Sequence, residues 1–214
     1  MKPITETELR CCVLATLAKR VSPGKSRLIQ EFTVEMGAAR VDIALIGQHL
    51  EAFELKSDFD DFSRLHNQIH AYNRVFDRIT IVTGQAFASA ALEVTPAWWG
   101  ISIAERKGDG MLRLRKVRHA TKNTGQDPLS LAMFLWRDEA IDALKDIADI
   151  TAPRKATRHQ LHTSLVELLA LRNLKKHVRQ QLLLRDRPRE PKPSVRCDDL
   201  SHLDASYLDF RFLT

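Results

Sequence analysis

The sequence has no long hydrophobic run and few cysteines, and each absence argues against a class of protein. No apolar stretch approaches the roughly 18 to 20 residues that a membrane-spanning helix needs. Only three of the 214 residues are cysteines, an odd number that is atypical of a secreted disulfide framework. The N-terminus is polar and acidic where a secretory signal would have an apolar stretch. We therefore expect a cytoplasmic protein.

The sequence also lacks the motifs of several common enzyme classes. It contains no glycine-rich phosphate-binding loop, no dinucleotide fingerprint and no nucleophilic serine or cysteine elbow. Cys11 and Cys12 are adjacent and Cys197 is distant, so the cysteines do not have the spacing of a zinc site. Hydrophobic residues nevertheless make up 44% of the chain and charged residues 28%, which is typical of a folded protein and excludes wholesale disorder.

Positive charge is concentrated in the C-terminal third of the chain. Residues 153–196 contain twelve Lys or Arg and three acidic residues, whereas the net charge of the whole chain is only +6. Such a basic segment on a mildly acidic body is typical of an arm that binds a polyanion. The residues expected to contact nucleic acid there are Arg172, Lys175, Lys176 and Arg179. The alternative is that these basic residues form an ordinary solvent-exposed face of a helix.

The spacing of apolar residues in the N-terminal half predicts an α/β fold. In chain order it indicates a helix, three short strands, a helix and a strand, at residues 5–19, 28–34, 39–46, 50–55, 60–76 and 78–83. A short helix at 85–92 and a strand pair at 99–104 and 112–117 follow. Because a strand, a helix and a strand in succession usually form a crossover, the strands on either side of the second helix should be parallel.

The C-terminal half is predicted to be helical. Apolar periodicity indicates one helix at 129–147 and a longer one at 157–185. We therefore divide the chain into a core at 1–125, a helical extension at 126–185 that packs on or beside it, and a basic tail at 186–214 that contains prolines.

Three charged residues interrupt the apolar strands of the N-terminal half. Asp42 interrupts the otherwise apolar run 41–46, and Glu54 and Lys56 alternate with Leu55 on the next strand, so both point to the same side. Two carboxylates from neighbouring strands, with the Leu55 carbonyl between them, supply the hard oxygen ligands that Mg²⁺ prefers. The alternative is that Lys56 forms an ion pair with Asp42 or Glu54 on an exposed face of the sheet.

The spacing of these residues resembles that of a nuclease superfamily. Glu54-Leu55-Lys56 follows Asp42 by twelve residues, and Gln68 and Tyr72 stand four residues apart on the next helix. This combination resembles the PD-(D/E)XK nuclease superfamily, which has the restriction-endonuclease-like fold. The residue before the Asp is Val41 where that superfamily often has Pro.

The resemblance implies both a fold and a set of residue roles. The fold would be an α-β-β-β-α-β core with a mixed sheet. Asp42, Glu54 and the Leu55 carbonyl would bind Mg²⁺, with Mn²⁺ as a substitute, and Lys56 would orient the attacking water. Gln68 would position the lysine or the water, unless it is a polar residue on a solvent-facing helix surface.

Further residues are assigned from the resemblance and from their position near the predicted cleft. Some members of the superfamily have an additional acid on the first helix, which would be Glu8 or Glu6 here. Arg40 and Arg64 are expected to contact phosphates.

The sequence therefore predicts a Mg²⁺-dependent nuclease that hydrolyses phosphodiester bonds, with DNA as the expected substrate and RNA as the open alternative. We expect endonucleolytic cleavage, which is compatible with a homodimer or an activating protein partner. The other hypothesis is a nucleic-acid-binding or regulatory protein of the same fold that does not cleave.

Overall fold

The computed structural model describes residues 2–63, 65–149, 152 and 155–185, except the side chains of 147 and 148. The helices in these ranges are α1 (Glu6–Ala18), α2 (Leu65–Asn73), α3 (Ala88–Val94), α4 (Pro128–Ala132), α5 (Arg137–Ala148), α6 (Arg158–Leu168) and α7 (Leu171–Leu184). The strands are β1 (Arg27–Val34), β2 (Ala39–Ile46), β3 (Leu50–Lys56), β4 (Arg78–Gly84), β5 (Gly100–Arg106) and β6 (Leu112–Arg118). None of the helices described is long and apolar enough to cross a membrane.

The six strands form one mixed sheet whose spatial order is the chain order, from β1 to β6. The pairs β1–β2, β2–β3 and β5–β6 are antiparallel, and the pairs β3–β4 and β4–β5 are parallel. The expected α/β class and mixed sheet are thus confirmed, as is the parallel pairing of the strands that flank α2.

Helices cover the sheet from both sides, and each side has its own core. The residues of α1 that face the sheet, Leu9, Val13 and Leu17, pack with Ile43 and Leu45 of β2. The other face packs against α2 and the C-terminal helices, because the alternate strand residues point that way.

The C-terminal helices share the larger of these two cores. Leu131, Leu144, Leu165, Leu174 and Leu182 come from α4, α5, α6 and α7, and they belong to the same buried cluster as the apolar residues on one face of β2, β3 and β4. The helical extension therefore packs onto the sheet.

The helix α2 is shorter than the predicted helix at 60–76. Its first turn is replaced by a loop, because the Asp60 carboxylate accepts hydrogen bonds from the Ser57 N–H (2.8 Å) and Ser57 Oγ (2.6 Å). The Asp61 carboxylate accepts in the same way from the Ser63 N–H (2.8 Å). Short polar side chains that bond to nearby backbone compete with helix formation, and the sequence pattern does not show which arrangement wins.

The two long C-terminal helices predicted from the sequence are each divided in two. Trp136 is extended at the start of α5, and the Glu139 carboxylate returns to accept from its N–H (2.7 Å), which begins a new helix. Leu169 and Ala170 have extended ψ angles of 131° and 139° and separate α6 from α7. The apolar periodicity hides both breaks, because the helices on either side turn their leucines to the same core.

A buried carboxylate ties α7 to the sheet. Asp77, which precedes β4, is 2% exposed. Its Oδ2 accepts from the Leu50 N–H (2.8 Å) and lies 3.8 Å from the Arg179 guanidinium, while the Lys175 ammonium pairs with Oδ1. We call these groups the Asp77 cluster.

Candidate functional site

The site forms where β2 and β3 stop pairing. The antiparallel register runs as far as Ile43 opposite Phe53. One residue further, the Asp42 side chain enters the gap, and its Oδ2 accepts from the Leu55 N–H at 2.7 Å. The far edge of β3 stays paired with β4 as far as Lys56. The gap therefore opens on one side of β3 while the other side holds the strand in place.

The alternation of side chains changes phase at the same point of the sheet. On β2, Ile43 faces the core beneath α1, but Val41, two residues away, belongs to the opposite core. On β1, the residue between Gln30 and Phe32 is Glu31, whose φ of 53° is in the left-handed region that few non-glycine residues adopt. This irregularity leaves Asp42 beside α1, where strict alternation would have placed it on the other face.

Glu54 is buried on the side of β3 that faces α2. It is 2% exposed, and both of its carboxylate oxygens have partners. Oε1 accepts from Gln68 Nε2 (2.7 Å) and lies 3.2 Å from the Lys56 ammonium, while Oε2 lies 2.9 Å from the Tyr72 hydroxyl. Lys56 also donates to Gln68 Oε1 at 3.4 Å. The Glu54–Lys56 ion pair considered from the sequence does form, but it is buried and linked to α2.

The environment of Glu54 favours its protonated form. Burial, together with the nearby Asp42 carboxylate, raises its pKa to about 7, although Lys56 and the Tyr72 hydrogen bond oppose the shift. The Tyr72 hydroxyl has a single proton and also lies 2.6 Å from the Arg40 carbonyl. When Tyr72 donates to that carbonyl, a protonated Glu54 can donate to the Tyr72 oxygen in turn.

An open cleft of about 430 Å³ brings these groups together. Its lining contains five carboxylates and three basic side chains: Glu6, Glu31, Asp42, Glu54, Asp60, Arg10, Arg40 and Lys56. Gln68 and Asn67 of α2 complete the polar wall. Asp42, Glu54, Lys56 and Gln68, all predicted from the sequence, therefore line one cleft with an excess of acidic groups.

Four polar residues that line the cleft were not predicted from the sequence: Arg10, Glu31, Asp60 and Asn67. Arg10 of α1 is 2% exposed, and its Nη2 lies 2.6 Å from Glu6, 2.9 Å from Glu31 and 3.0 Å from Asp42. Burial lowers the pKa of Arg10, but the attraction of these three carboxylates outweighs that effect and raises the pKa. Arg10 therefore stays charged. Burial raises the pKa of Asp42, against the opposing charge of Arg10. The available signal was an arginine next to Leu9 on the apolar face of α1.

The other predicted site residues on α1 and β3 differ in whether they line the cleft. Glu8 does not line the cleft: it caps α1 by accepting from the Thr5 N–H (3.0 Å) and pairs with Arg106 (2.9 Å). Glu6, its alternative, does line the cleft. Leu55 lies at the cleft and donates its N–H to Asp42.

The basic residues predicted to contact nucleic acid lie in different parts of the structure. Arg40 lies at the cleft with 60% of its side chain exposed, and Arg64 lies outside the described residues. Arg172 and Lys176 are exposed on α7. Lys175 and Arg179, in contrast, belong to the Asp77 cluster, where the ion pair with Asp77 accounts for their position on the helix.

Carboxylates are suitable ligands for a divalent cation, but those of the cleft are not arranged as a complete coordination site. Within the ranges that the structure describes, no group of three or more His, Cys, Asp or Glu side chains is arranged to hold a metal ion. Mg²⁺ commonly binds through one or two carboxylates and keeps several waters, so Asp42 and Glu54 meet that smaller requirement.

Comparison with known proteins places the chain in a phage family. The family model of bacteriophage P4 protein cII matches residues 1–201. The chain belongs to this family. Protein cII of Enterobacteria phage P4 is 25% identical over 167 residues, which are 78% of this chain and 61% of that protein. The alignment thus spans less than two thirds of the phage protein's length.

A solved structure also aligns with part of the chain. It is a protein of unknown function from Silicibacter pomeroyi, with 22% sequence identity and a TM-score of 0.43. The alignment covers 66% of this chain and 90% of that one. A TM-score this low does not establish a shared fold.

Proposed function

We propose that this chain is a metal-dependent nuclease of the PD-(D/E)XK type, with a restriction-endonuclease-like core. The observation that carries the proposal is the convergence of Asp42, Glu54, Lys56 and Gln68 on one open cleft at the point where β2 and β3 separate. The order of elements around it, from α1 through three antiparallel strands and α2 to a parallel β4, is the order that the resemblance implies.

The donor set fits a magnesium ion. Asp42 and Glu54 would hold the ion, with the Leu55 carbonyl as a further oxygen ligand, and Mn²⁺ would substitute. When bound, Mg²⁺ supplies the Lewis acidity that activates water and offsets charge on the phosphate. Since the pKa of Glu54 is raised to about 7, Glu54 would lose its proton on binding the ion.

The other polar groups of the cleft would then act on water and substrate. Lys56, released in part from Glu54, would orient the attacking water and offset charge that develops on the phosphate. Gln68 donates to Glu54 and accepts from Lys56, so it would fix the distance between them. Arg40, at the exposed rim of the cleft, would contact the backbone of the nucleic acid.

The exposed basic residues of α7 would extend the binding surface. Arg172 and Lys176 are exposed and lie outside the Asp77 cluster, so they would meet phosphates in solution. Such contacts add affinity without reading sequence. We place the reaction in the cytoplasm, with DNA as the substrate.

The test is cleavage of supercoiled plasmid and of labelled single strands in Mg²⁺, Mn²⁺ or EDTA. We expect metal-dependent cutting by the wild type and a loss of about 10²- to 10³-fold in Lys56→Ala and Asp42→Asn, because each removes charge stabilisation at the reacting phosphate. Lys145→Ala, at an exposed position of α5, is the matched control and should cut normally.

Two outcomes would contradict the proposal. Equal cutting by the wild type and both cleft variants would assign the activity to another site or to a contaminant. Salt-sensitive DNA binding without cutting in any metal would instead favour a nucleic-acid-binding or regulatory protein.

A further inference from the structure

We infer that the Arg10 guanidinium acts as a built-in cation at the cleft: it positions Asp42 and takes the place of a divalent cation, so that its removal creates capacity for one more divalent cation per chain. The inference deepens the proposed function, since it names what sets the number of cations at that site. It uses two residues, Arg10 and Glu31, that have no role in the proposed cleavage step.

The first argument is the geometry around one nitrogen atom. Arg10 Nη2 lies within 3.0 Å of oxygens from three different carboxylates, those of Glu6, Glu31 and Asp42. A guanidinium NH₂ group has only two hydrogens, so the third oxygen is held by charge alone. A divalent cation also needs oxygen ligands from several side chains around one centre, and Arg10 Nη2 occupies that centre here.

A structural arginine elsewhere in the chain shows the contrast. Arg185 binds a single carboxylate, that of Glu139, through Nε (2.9 Å) and Nη2 (2.5 Å). This is the two-pronged geometry in which a guanidinium and a carboxylate match best. The Nε of Arg10, in contrast, is buried and has no hydrogen-bond partner in the described part of the chain. Arg10 Nη1 donates to the Asp42 carbonyl (3.2 Å). All three carboxylates meet the single nitrogen Nη2, as they would meet a point charge.

The second argument is the balance of charge in the cluster. Three carboxylates face Arg10, and one of them, Glu31, also has an ion pair with Arg40, whose Nε lies 2.9 Å away. Without Arg10, the carboxylates of Glu6, Glu31 and Asp42 would keep one of these ion pairs, that between Glu31 and Arg40. The side chains of Glu6, Glu31 and Asp42 are 53%, 23% and 22% exposed, so a hydrated ion can reach them from the cleft.

The experiment counts Mn²⁺ ions bound per chain, by electron paramagnetic resonance of free Mn²⁺ at about 1 mM, in the range of weak carboxylate sites. We expect Arg10→Gln to bind one more ion than the wild type. Arg10→Lys, which keeps the charge, should bind the wild-type number. The double variant with Arg10→Gln and Glu31→Gln, which removes one ligand, should also return to the wild-type number.

A matched control separates this effect from the loss of any partly buried arginine. Arg185→Gln also leaves a carboxylate without its partner, but only one, so it should leave the ion count unchanged. If Arg10→Gln does not fold in EDTA, the inference predicts that Mn²⁺ restores its circular dichroism spectrum. Failure of Mn²⁺ to restore it would overturn the inference.

The counts distinguish this inference from the proposed function. An increase from one ion to two supports both, and an increase from none to one supports the inference while removing the metal from the proposed wild-type reaction. One ion in both proteins overturns the inference and leaves the proposed function standing. No ion in either protein overturns both.

Discussion

The Asp77 cluster and the cleft around Asp42 both bring carboxylates and basic side chains together, but their charge balance is opposite. Asp77 is a single carboxylate with two cations, Lys175 and Arg179, and a backbone N–H donor. The cleft has five carboxylates and three cations, and it is open to solvent. Both carboxylate oxygens of Asp77 have partners within the fold, whereas the cleft exposes more acidic than basic groups to solvent.

This difference in charge balance distinguishes ion pairs that stabilise the fold from charged groups that can bind a ligand. Ion pairs that are complete within the fold join elements, as Asp77 joins the start of β4 to α7. In the cleft, burial raises the pKa values of Glu54 and Asp42, and groups with shifted pKa values are concentrated at functional sites. Substitutions in the first cluster should therefore change stability, and substitutions in the second should change ligand binding and pH dependence.

The largest expected effect is that of Asp77→Ala on stability. The change would leave the Lys175 ammonium without its carboxylate partner in a mostly buried position, and breaking a buried pair costs about 3–5 kcal/mol. Urea denaturation followed by circular dichroism measures the loss. Asp146→Ala, at an exposed position of α5, is the control and should change the free energy of unfolding by less than about 0.5 kcal/mol. A loss no larger than that control would contradict a structural role for the cluster.

A smaller effect is expected for the pH dependence of stability in Glu54→Gln. The fold raises the pKa of Glu54 from 4.5 to about 7, so the folded state binds more protons than the unfolded state between these values. The free energy of unfolding of the metal-free wild type should therefore fall as pH rises through this window, by about 3 kcal/mol from this group. Glu54→Gln has no proton to lose and should reduce the decline.

The comparison protein for this experiment is Glu167→Gln, which changes an exposed glutamate of α6. It should retain the wild-type pH profile in urea denaturation between pH 4 and 8, the range that contains both pKa values. Identical profiles for Glu54→Gln and the wild type would show that Glu54 does not titrate as proposed.

The smallest expected effect is on DNA affinity when Arg172 and Lys176 are both replaced by Ala. If each contacts one phosphate, the slope of log affinity against log salt should decrease by about one per residue. Fluorescence anisotropy at several salt concentrations, with EDTA present, measures this slope. Lys145→Ala should leave it unchanged, and an unchanged slope in the double variant would remove α7 from the binding surface.

The sequence predicted the residues of β3 and α2 that meet in the cleft because strand alternation is local. Glu54 and Lys56 are two residues apart, so they share a face whatever the rest of the chain does, and Gln68 lies on the helix that covers that face. Asp42 was identified as an isolated acid in an apolar strand, although its position beside α1 depends on the phase change at Glu31.

Arg10 and Glu31 could not be predicted in the same way. Their meeting depends on how α1 crosses the sheet and on a left-handed residue inside β1, neither of which follows from local periodicity. The same limit applies to α7. Counting basic residues predicted four that contact nucleic acid, but it could not show that Lys175 and Arg179 face a buried aspartate from another element.

The hydrogen bond from the Leu55 N–H to Asp42 provides a spectroscopic reporter inside the cleft. At 2.7 Å from a carboxylate oxygen, this amide proton should resonate at an unusually low field in a ¹⁵N-resolved NMR spectrum. Protonation of Asp42, its capture by a cation or the loss of Arg10 would each change the electron density at that oxygen. One backbone resonance would therefore follow the state of the carboxylate cluster directly, in the intact protein and without a substrate.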